Sequence, residues 1–207
     1  MILSCSEAAD RIAAGGVVAI ATDTVYGLVC DPRSAGAVDR IYAVKRRPGA
    51  LELGLLGATA EDLGRCGAMD ARARALAAAL WPGALSIIVP VRPDAGLAVP
   101  RAGRTVSLRV PAGAVARELL GRTGPLASTS ANRHGEPAAT TAAECVAALG
   151  DEIDGVLDGG RSAGEGSTII DLTGDPPRLL RAGPISADVL AAHLGGRPLH
   201  PPRPAGP

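Results

Sequence analysis

Short apolar runs that alternate with helix-patterned segments constrain this chain more than any other feature. Val17 to Ala21, Leu53 to Gly57, Leu85 to Val91, Val106 to Val110, Val156 to Asp158 and Ser167 to Leu172 are too short for core helices and rich in aliphatic side chains, so they read as buried strands. Helical patterns fall around and between them at Ser4 to Ala14, Ser34 to Lys45, Ala60 to Arg65, Asp70 to Leu80, Gly113 to Leu120, Thr141 to Leu149 and Ser186 to Leu194. Ser4-x-x-Glu7 and Thr141-x-x-Glu144 have the form of capping boxes, in which two side chains satisfy the orphan N–H groups of a helix start. Gly15-Gly16 stop the first helix, Thr22 to Pro32 form a loop, and Pro48 ends the second helix. The alternation predicts an α/β fold, a single-domain twisted, open sheet covered by helices. Some connections are too short for crossover helices, so the sheet should be mixed.

At 207 residues and 47% hydrophobic, the chain can bury about two-thirds of its unfolded surface in one core. With no Phe, two Tyr and Trp81 alone, that core must be built from Ala, Val, Leu and Ile, and an extensive base-stacking platform is not expected. The 21 basic and 21 acidic residues cancel, so any anion site must be local. Lys45 is the only lysine. Cys5, Cys30, Cys66 and Cys145 are scattered, with no C-x-x-C pair or His at ligand spacing, which predicts reduced and mostly buried thiols and no metal site. The start lacks a basic leader, and no apolar stretch reaches the roughly 18 residues of a membrane helix, so a cytoplasmic protein without membrane contact is expected. The domain is expected to span 1–194, with a disordered proline-rich end over 195–207.

Ordinary nucleotide motifs are missing. Val44 precedes the lysine where a Walker A loop needs Gly, and Gly164-Glu165-Gly166 lacks the third glycine of a dinucleotide fingerprint. Polar loops beside apolar strands remain. They are Thr22-Asp23-Thr24-Val25-Tyr26-Gly27; the cations Lys45-Arg46-Arg47 before Pro48; Ser128-Thr129-Ser130-Ala131-Asn132; and Gly166-Ser167-Thr168 with Arg181-Ala182-Gly183-Pro184. Each alone is also an ordinary turn, or a cation pairing with a helix dipole. Arg109 differs, because a charge within Val106 to Val110 requires a buried partner or an anionic ligand. Lys45 and Arg47 are placed on a solvent-facing loop, where replacing either by Ala would spare the fold.

In their order, T-D-T-V-Y-G at Thr22 to Gly27, K-x-R-P at Lys45 to Pro48, W-P-G-x-L at Trp81 to Leu85, L-R-V-P at Leu108 to Pro111, S-T-S-A-N at Ser128 to Asn132, S-T-I-I-D at Ser167 to Asp171 and L-R-A-G at Leu180 to Gly183 resemble the YrdC-like threonylcarbamoyl-AMP synthases over Ser4 to Leu194. The resemblance implies a YrdC-like fold and a nucleotidyltransferase that joins L-threonine, bicarbonate and ATP into threonylcarbamoyl-AMP and pyrophosphate, for threonylcarbamoyladenosine in tRNA. It places Lys45, Arg47, Ser130 and Asn132 at the reacting phosphates, with Thr105 and Arg181 completing the ATP set. It places Thr24, Tyr26, Arg109, Ser128 and Ser167 around threonine, and Asp23 where it orients Thr24 or Lys45. Magnesium would be held mainly by the phosphates, with no protein metal site. The short form implies transient contact with a separate threonylcarbamoyl transferase.

The chain departs from the family pattern at Ala21, at Leu51-Glu52 and at Arg133-His134, where His134 reads as a surface residue. Two rival readings come with the fold. One is a double-stranded RNA or tRNA binder using Lys45, Arg46, Arg47 and Arg133; the other is a carbamoyl-adenylate-forming paralogue with another acceptor.

Overall fold

The computed structural model describes residues 1–46, 53–99, 104–196 and 198–200. Among these residues ten strands form one sheet: β1 (Ile2–Leu3), β2 (Val18–Ile20), β3 (Gly27–Cys30), β4 (Gly54–Leu56), β5 (Leu85–Pro90), β6 (Thr105–Arg109), β7 (Leu126–Ser130), β8 (Val156–Leu157), β9 (Thr168–Asp171) and β10 (Arg178–Arg181). Seven α-helices accompany them among the described residues: α1 (Cys5–Ala13), α2 (Ala35–Lys45), α3 (Ala60–Gly64), α4 (Ala71–Leu80), α5 (Ala114–Thr123), α6 (Ala142–Leu149) and α7 (Ala187–His193). The strand order is β1-β8-β2-β3-β7-β4-β6-β5-β9-β10, open at both ends. β1–β8, β2–β8, β4–β6 and β5–β9 run parallel, and the other neighbours antiparallel, so the sheet is mixed as expected.

The helix starts follow from capping chemistry. Ser4, Ser34, Thr59, Asp70, Thr141 and Ser186 each accept a hydrogen bond from an early backbone N–H of the following helix, typically worth about 1 kcal/mol. The box at Ser4 and Glu7 closes in both directions. The second box shifts by one residue: Thr141 Oγ1 accepts from Glu144 N, but the Glu144 carboxylate takes Thr140 N instead of Thr141 N.

Successive strand residues face opposite sides, and both sides are used. Val17, Ala19, Tyr26, Leu28, Cys30, Leu55, Ile87, Leu108 and Ala127 join the larger core with α2, α3, α4, α6 and α7. Val18, Ile20, Val29, Leu56, Leu126 and Leu157 join a smaller core under α1 and α5. The core is aliphatic, with Tyr26 and Tyr42 its buried aromatics and Trp81 packed at its margin.

β3 and β7 correct the expected loops. Gly27 to Cys30 pairs with both β2 and β7, and Ser128 to Ser130 lies within β7. Their Gly, Ser and Thr content has the composition of a turn, but backbone pairing on both sides makes them central strands. After α7, Leu199 packs against the larger core, and His200 exchanges hydrogen bonds with Pro177 and Leu179 beside β10.

Candidate active site

The same alternation that fills the cores builds a cavity. On the strand faces opposite the larger core, beyond the reach of α1 and α5, the side chains are small or hydroxylic: Gly27, Gly54, Ser86, Ser107, Ser128 and Ser130. They floor a hollow of about 530 Å³, a volume suited to a small-molecule site. Close strand packing leaves little room for more. A Cβ on Gly27 would lie 3.2 Å from Ser128 Oγ, and one on Gly54 3.3 Å from Ser107 O.

Two guanidinium groups enter this floor. Arg109, 6% exposed at the end of β6, donates from Nε to Gly83 O at 2.9 Å, from Nη1 to Thr24 Oγ1 at 2.7 Å and from Nη2 to Asp23 Oδ1 at 2.7 Å. Burial pulls its pKa down, the Asp23 carboxylate opposes that, and the charge of Arg181 adds a smaller lowering. Arg181, at the end of β10, donates from Nε to Ser167 O at 2.8 Å and from Nη2 to Ser167 Oγ at 3.1 Å, and burial lowers its pKa too. Both remain charged at neutral pH. Asp23 neutralises part of the Arg109 charge, whereas no carboxylate is paired with Arg181 among the described residues, so its guanidinium offers a local cationic group that suits an anionic ligand.

One wall is laced to the Thr22 to Thr24 turn by hydrogen bonds. Gly164 N donates to Thr24 O at 2.7 Å, and Ser162 Oγ donates to Thr22 O at 2.7 Å, joining the 158–166 segment to the Thr22 to Thr24 turn. Tyr26 anchors its start. This side chain is fully buried, its hydroxyl lies 2.7 Å from Asp158 Oδ1 and 2.8 Å from Gly160 O, and burial with the Asp158 contact raises its pKa.

The expected site residues are thus sorted. Thr24, Arg109, Ser128, Ser130, Asn132, Ser167 and Arg181 converge on the cavity. Tyr26 does not line it, because its hydroxyl is turned to Asp158. Thr105 shares the strand face of Ser107 and Arg109 but sits at the start of β6, two residues before Ser107, outside the lining. Lys45 corrects an expectation more sharply. It is not on a solvent-facing loop but 3% exposed, with Nζ donating to Ser130 O at 2.7 Å, Asn132 O at 2.8 Å and Asn132 Oδ1 at 2.9 Å. Lys45 is the last residue of α2, and Arg46, with a φ of 48°, ends the helix in the left-handed region directly after it. Arg47 and Leu51-Glu52 lie outside the described residues. Asp23 pairs with Arg109 rather than orienting Lys45, and His134 is exposed as expected.

Ser86 and Ser107 were not singled out from sequence. Each interrupts an apolar run at a position of the opposite parity, a signal that counting in twos from Arg109 exposes for Ser107. Burial pushes the Cys30 and Cys145 thiols up to about 12, so neither offers a ready thiolate nucleophile. A second hollow of about 720 Å³ beside α3 and α4, walled by Ala60, Met69 and Ala77, holds none of the motif residues.

The Sua5/YciO/YrdC family model, described as telomere recombination, matches residues 10–183. This chain belongs to that family. Among Sua5/YciO/YrdC relatives, a candidate threonylcarbamoyl-AMP synthase of Mycobacterium tuberculosis is 40% identical over 191 residues, covering 91% of this chain and 88% of the relative. The threonylcarbamoyl-AMP synthase of Bacillus subtilis is 37% identical over 201 residues, covering 94% of this chain and 57% of the relative. The crystal structure of Pyrococcus abyssi Sua5 complexed with L-threonine superposes with a TM-score of 0.86 at 33% identity, over 95% of this chain and 58% of that one. The family membership and the shared fold bear out the resemblance drawn from the ordered motifs.

Proposed function

We propose that this chain is an L-threonylcarbamoyladenylate synthase, a nucleotidyltransferase that makes threonylcarbamoyl-AMP and pyrophosphate from ATP, bicarbonate and L-threonine for tRNA modification. The observation that carries the reading is the pair of guanidinium groups, Arg109 and Arg181, converging on a hydroxyl-lined floor, in a chain 33% identical to a protein crystallised with L-threonine. Threonine's carboxylate suits Arg109, a fixed fork whose other donors are already aligned by Gly83, Thr24 and Asp23.

The reaction joins the threonine amine to bicarbonate with loss of water. A carbamate oxygen then forms a bond to the α-phosphorus as the bond to pyrophosphate breaks. Such chemistry needs anions held together and spreading phosphoryl charge stabilised, which cations, hydroxyls and amides supply without a covalent intermediate on the protein. Ser130, Asn132 and Lys45 form one cluster for the phosphate side, with Arg47 beyond it in sequence. All three Lys45 ammonium hydrogens already have acceptors, so phosphate would take a place now held by a loop oxygen. Glu136 is the one acid on the cavity lining among the described residues, so magnesium would be held chiefly by the phosphates, where it would neutralise developing charge.

A separate transferase that accepts the adenylate, and a cytoplasmic location, complete the reading. The RNA-binding alternative is weakened, because Lys45 is interior and Arg133 pairs with Glu152 at 2.6 Å. Mass spectrometry of the purified protein with ATP, magnesium, bicarbonate and L-threonine tests the proposal. Threonylcarbamoyl-AMP is expected only in the complete mixture. Its absence from folded protein with ATP intact would overturn the reading.

A further inference from the structure

Ser86 has no place in the substrate set carried over from the family, yet it is 8% exposed, lines the cavity and is flanked by Leu85 and Ile87 of the larger core. Its Oγ lies 2.9 Å from Ser167 Oγ, and Ser167 Oγ in turn accepts from Arg181 Nη2. A serine hydroxyl has one hydrogen to give and two lone pairs to receive, so two arrangements satisfy the pair. Either Ser86 donates to Ser167, stacking two donors on one oxygen, or Ser167 donates to Ser86, and the chain runs from guanidinium to Ser167 to Ser86. The second aligns every O–H dipole with the Arg181 charge, and aligned hydrogen bonds strengthen one another. It leaves the Ser86 hydrogen as the end of the chain, with the cavity as its outlet.

We infer that Ser86 is a substrate-binding residue: the terminal donor of an Arg181–Ser167–Ser86 relay that hydrogen-bonds a carboxylate-type oxyanion in the cavity. The inference rests on the proposed adenylate synthesis and deepens it. In that reaction two sources share this chemistry, the threonine carboxylate and bicarbonate. Arg109 belongs to the same field, since its Nε holds Gly83 O just before β5 and its charge interacts with that of Arg181. Ser167 then acts on the ligand through Ser86 as well as by its position.

The test compares wild type, Ser86→Ala, Ser86→Thr, Ser167→Ala and the Ser86→Ala/Ser167→Ala double variant. Pyrophosphate release is followed with threonine and bicarbonate varied separately, and L-threonine binding is titrated calorimetrically. Loss of a hydrogen bond to a charged group predicts a KM raised about tenfold to a hundredfold for one substrate in Ser86→Ala, with kcat much less affected. A rise for threonine, matched in the calorimetric affinity, assigns its carboxylate; a rise for bicarbonate alone assigns that anion. Ser86→Thr restores the hydroxyl and should restore most of the affinity, and the loss in the double variant should fall short of the product of the two single losses. Wild-type kinetics in Ser86→Ala, or single effects that multiply in the double variant, would overturn the relay. Wild type that binds threonine but releases no pyrophosphate would instead overturn the proposed reaction, while the calorimetry still judges Ser86 for the amino acid. Wild type that does neither would remove both.

Discussion

Replacing Arg109 by Ala should unfold the protein more readily as well as weaken substrate binding. The substitution removes a 6%-exposed guanidinium and leaves Gly83 O, Thr24 Oγ1 and the Asp23 carboxylate without it. Asp23 keeps the N–H of Ala112 at 3.0 Å but loses its counter-charge in a site where its side chain is only 21% exposed. Breaking a buried pair from one side typically costs about 3 to 5 kcal/mol, and the partial exposure of Asp23 favours the lower end. At about 2 to 4 °C per kcal/mol for a domain of this size, about 3 kcal/mol predicts a Tm lowered by about 6 to 12 °C. Differential scanning calorimetry without substrates checks this directly. Because the loss comes from stranding Asp23, Asp23→Asn combined with Arg109→Met should cost less than the two single changes added together. A Tm within about 2 °C of wild type for Arg109→Ala would refute the buried-pair reasoning, and additive losses would refute the coupling.

Two glycines that look alike in sequence should fail differently. A Cβ on Gly166 would sit 3.1 Å from Cζ of Arg181, the movable end of a side chain, so Gly166→Ala should keep its Tm while adenylate formation falls about tenfold, the scale of one displaced charged hydrogen bond. A Cβ on Gly183 would sit 2.6 Å from Gly166 O and Thr168 N, both backbone, so Gly183→Ala should lower the Tm itself. Acid should loosen the Tyr26 anchor. The Gly160 N–H and the Tyr26 hydroxyl hold the Asp158 pKa below 3.8, so its contribution is complete above that value and is lost as pH falls through the depressed one. The Tm difference between wild type and Asp158→Asn should therefore be flat above pH 4 and shrink below it; a difference that grows on acidification would contradict the anchor.

Much of the architecture was legible because it is written in local rules. Capping residues placed the helix starts, and aliphatic runs placed β2, β4, β5, β6 and β9. β3 and β7 were hidden because Gly27 and Ser128 to Ser130 have turn chemistry, and only their neighbours on both sides make them strands. The site was half legible. Arg109 announced itself as a charge among apolar residues, and it has the buried partner that such a position demands. Lys45 was misplaced because cations at a helix end ordinarily meet water and the helix dipole. The left-handed turn at Arg46 that ends α2 directly after it has no glycine to signal it. Tyr26 was read as a ligand because its motif belongs to the site, whereas its partner Asp158 lies 132 positions away. Ser86 and Ser107 speak only once the sheet's parity is fixed.

The scarcity of aromatic residues has one practical consequence. Trp81 is the only tryptophan, and its indole Nε1 donates to Leu85 O at 2.7 Å, directly before Ser86 and two residues after the chain position of Gly83, which holds Arg109. The molecule therefore carries a single indole fluorophore, hydrogen-bonded to its own floor. Excited at the red edge, where Tyr26 and Tyr42 do not absorb, light emitted at that one position reports on the strand that meets the ligand, with no second indole in the chain to dilute the signal.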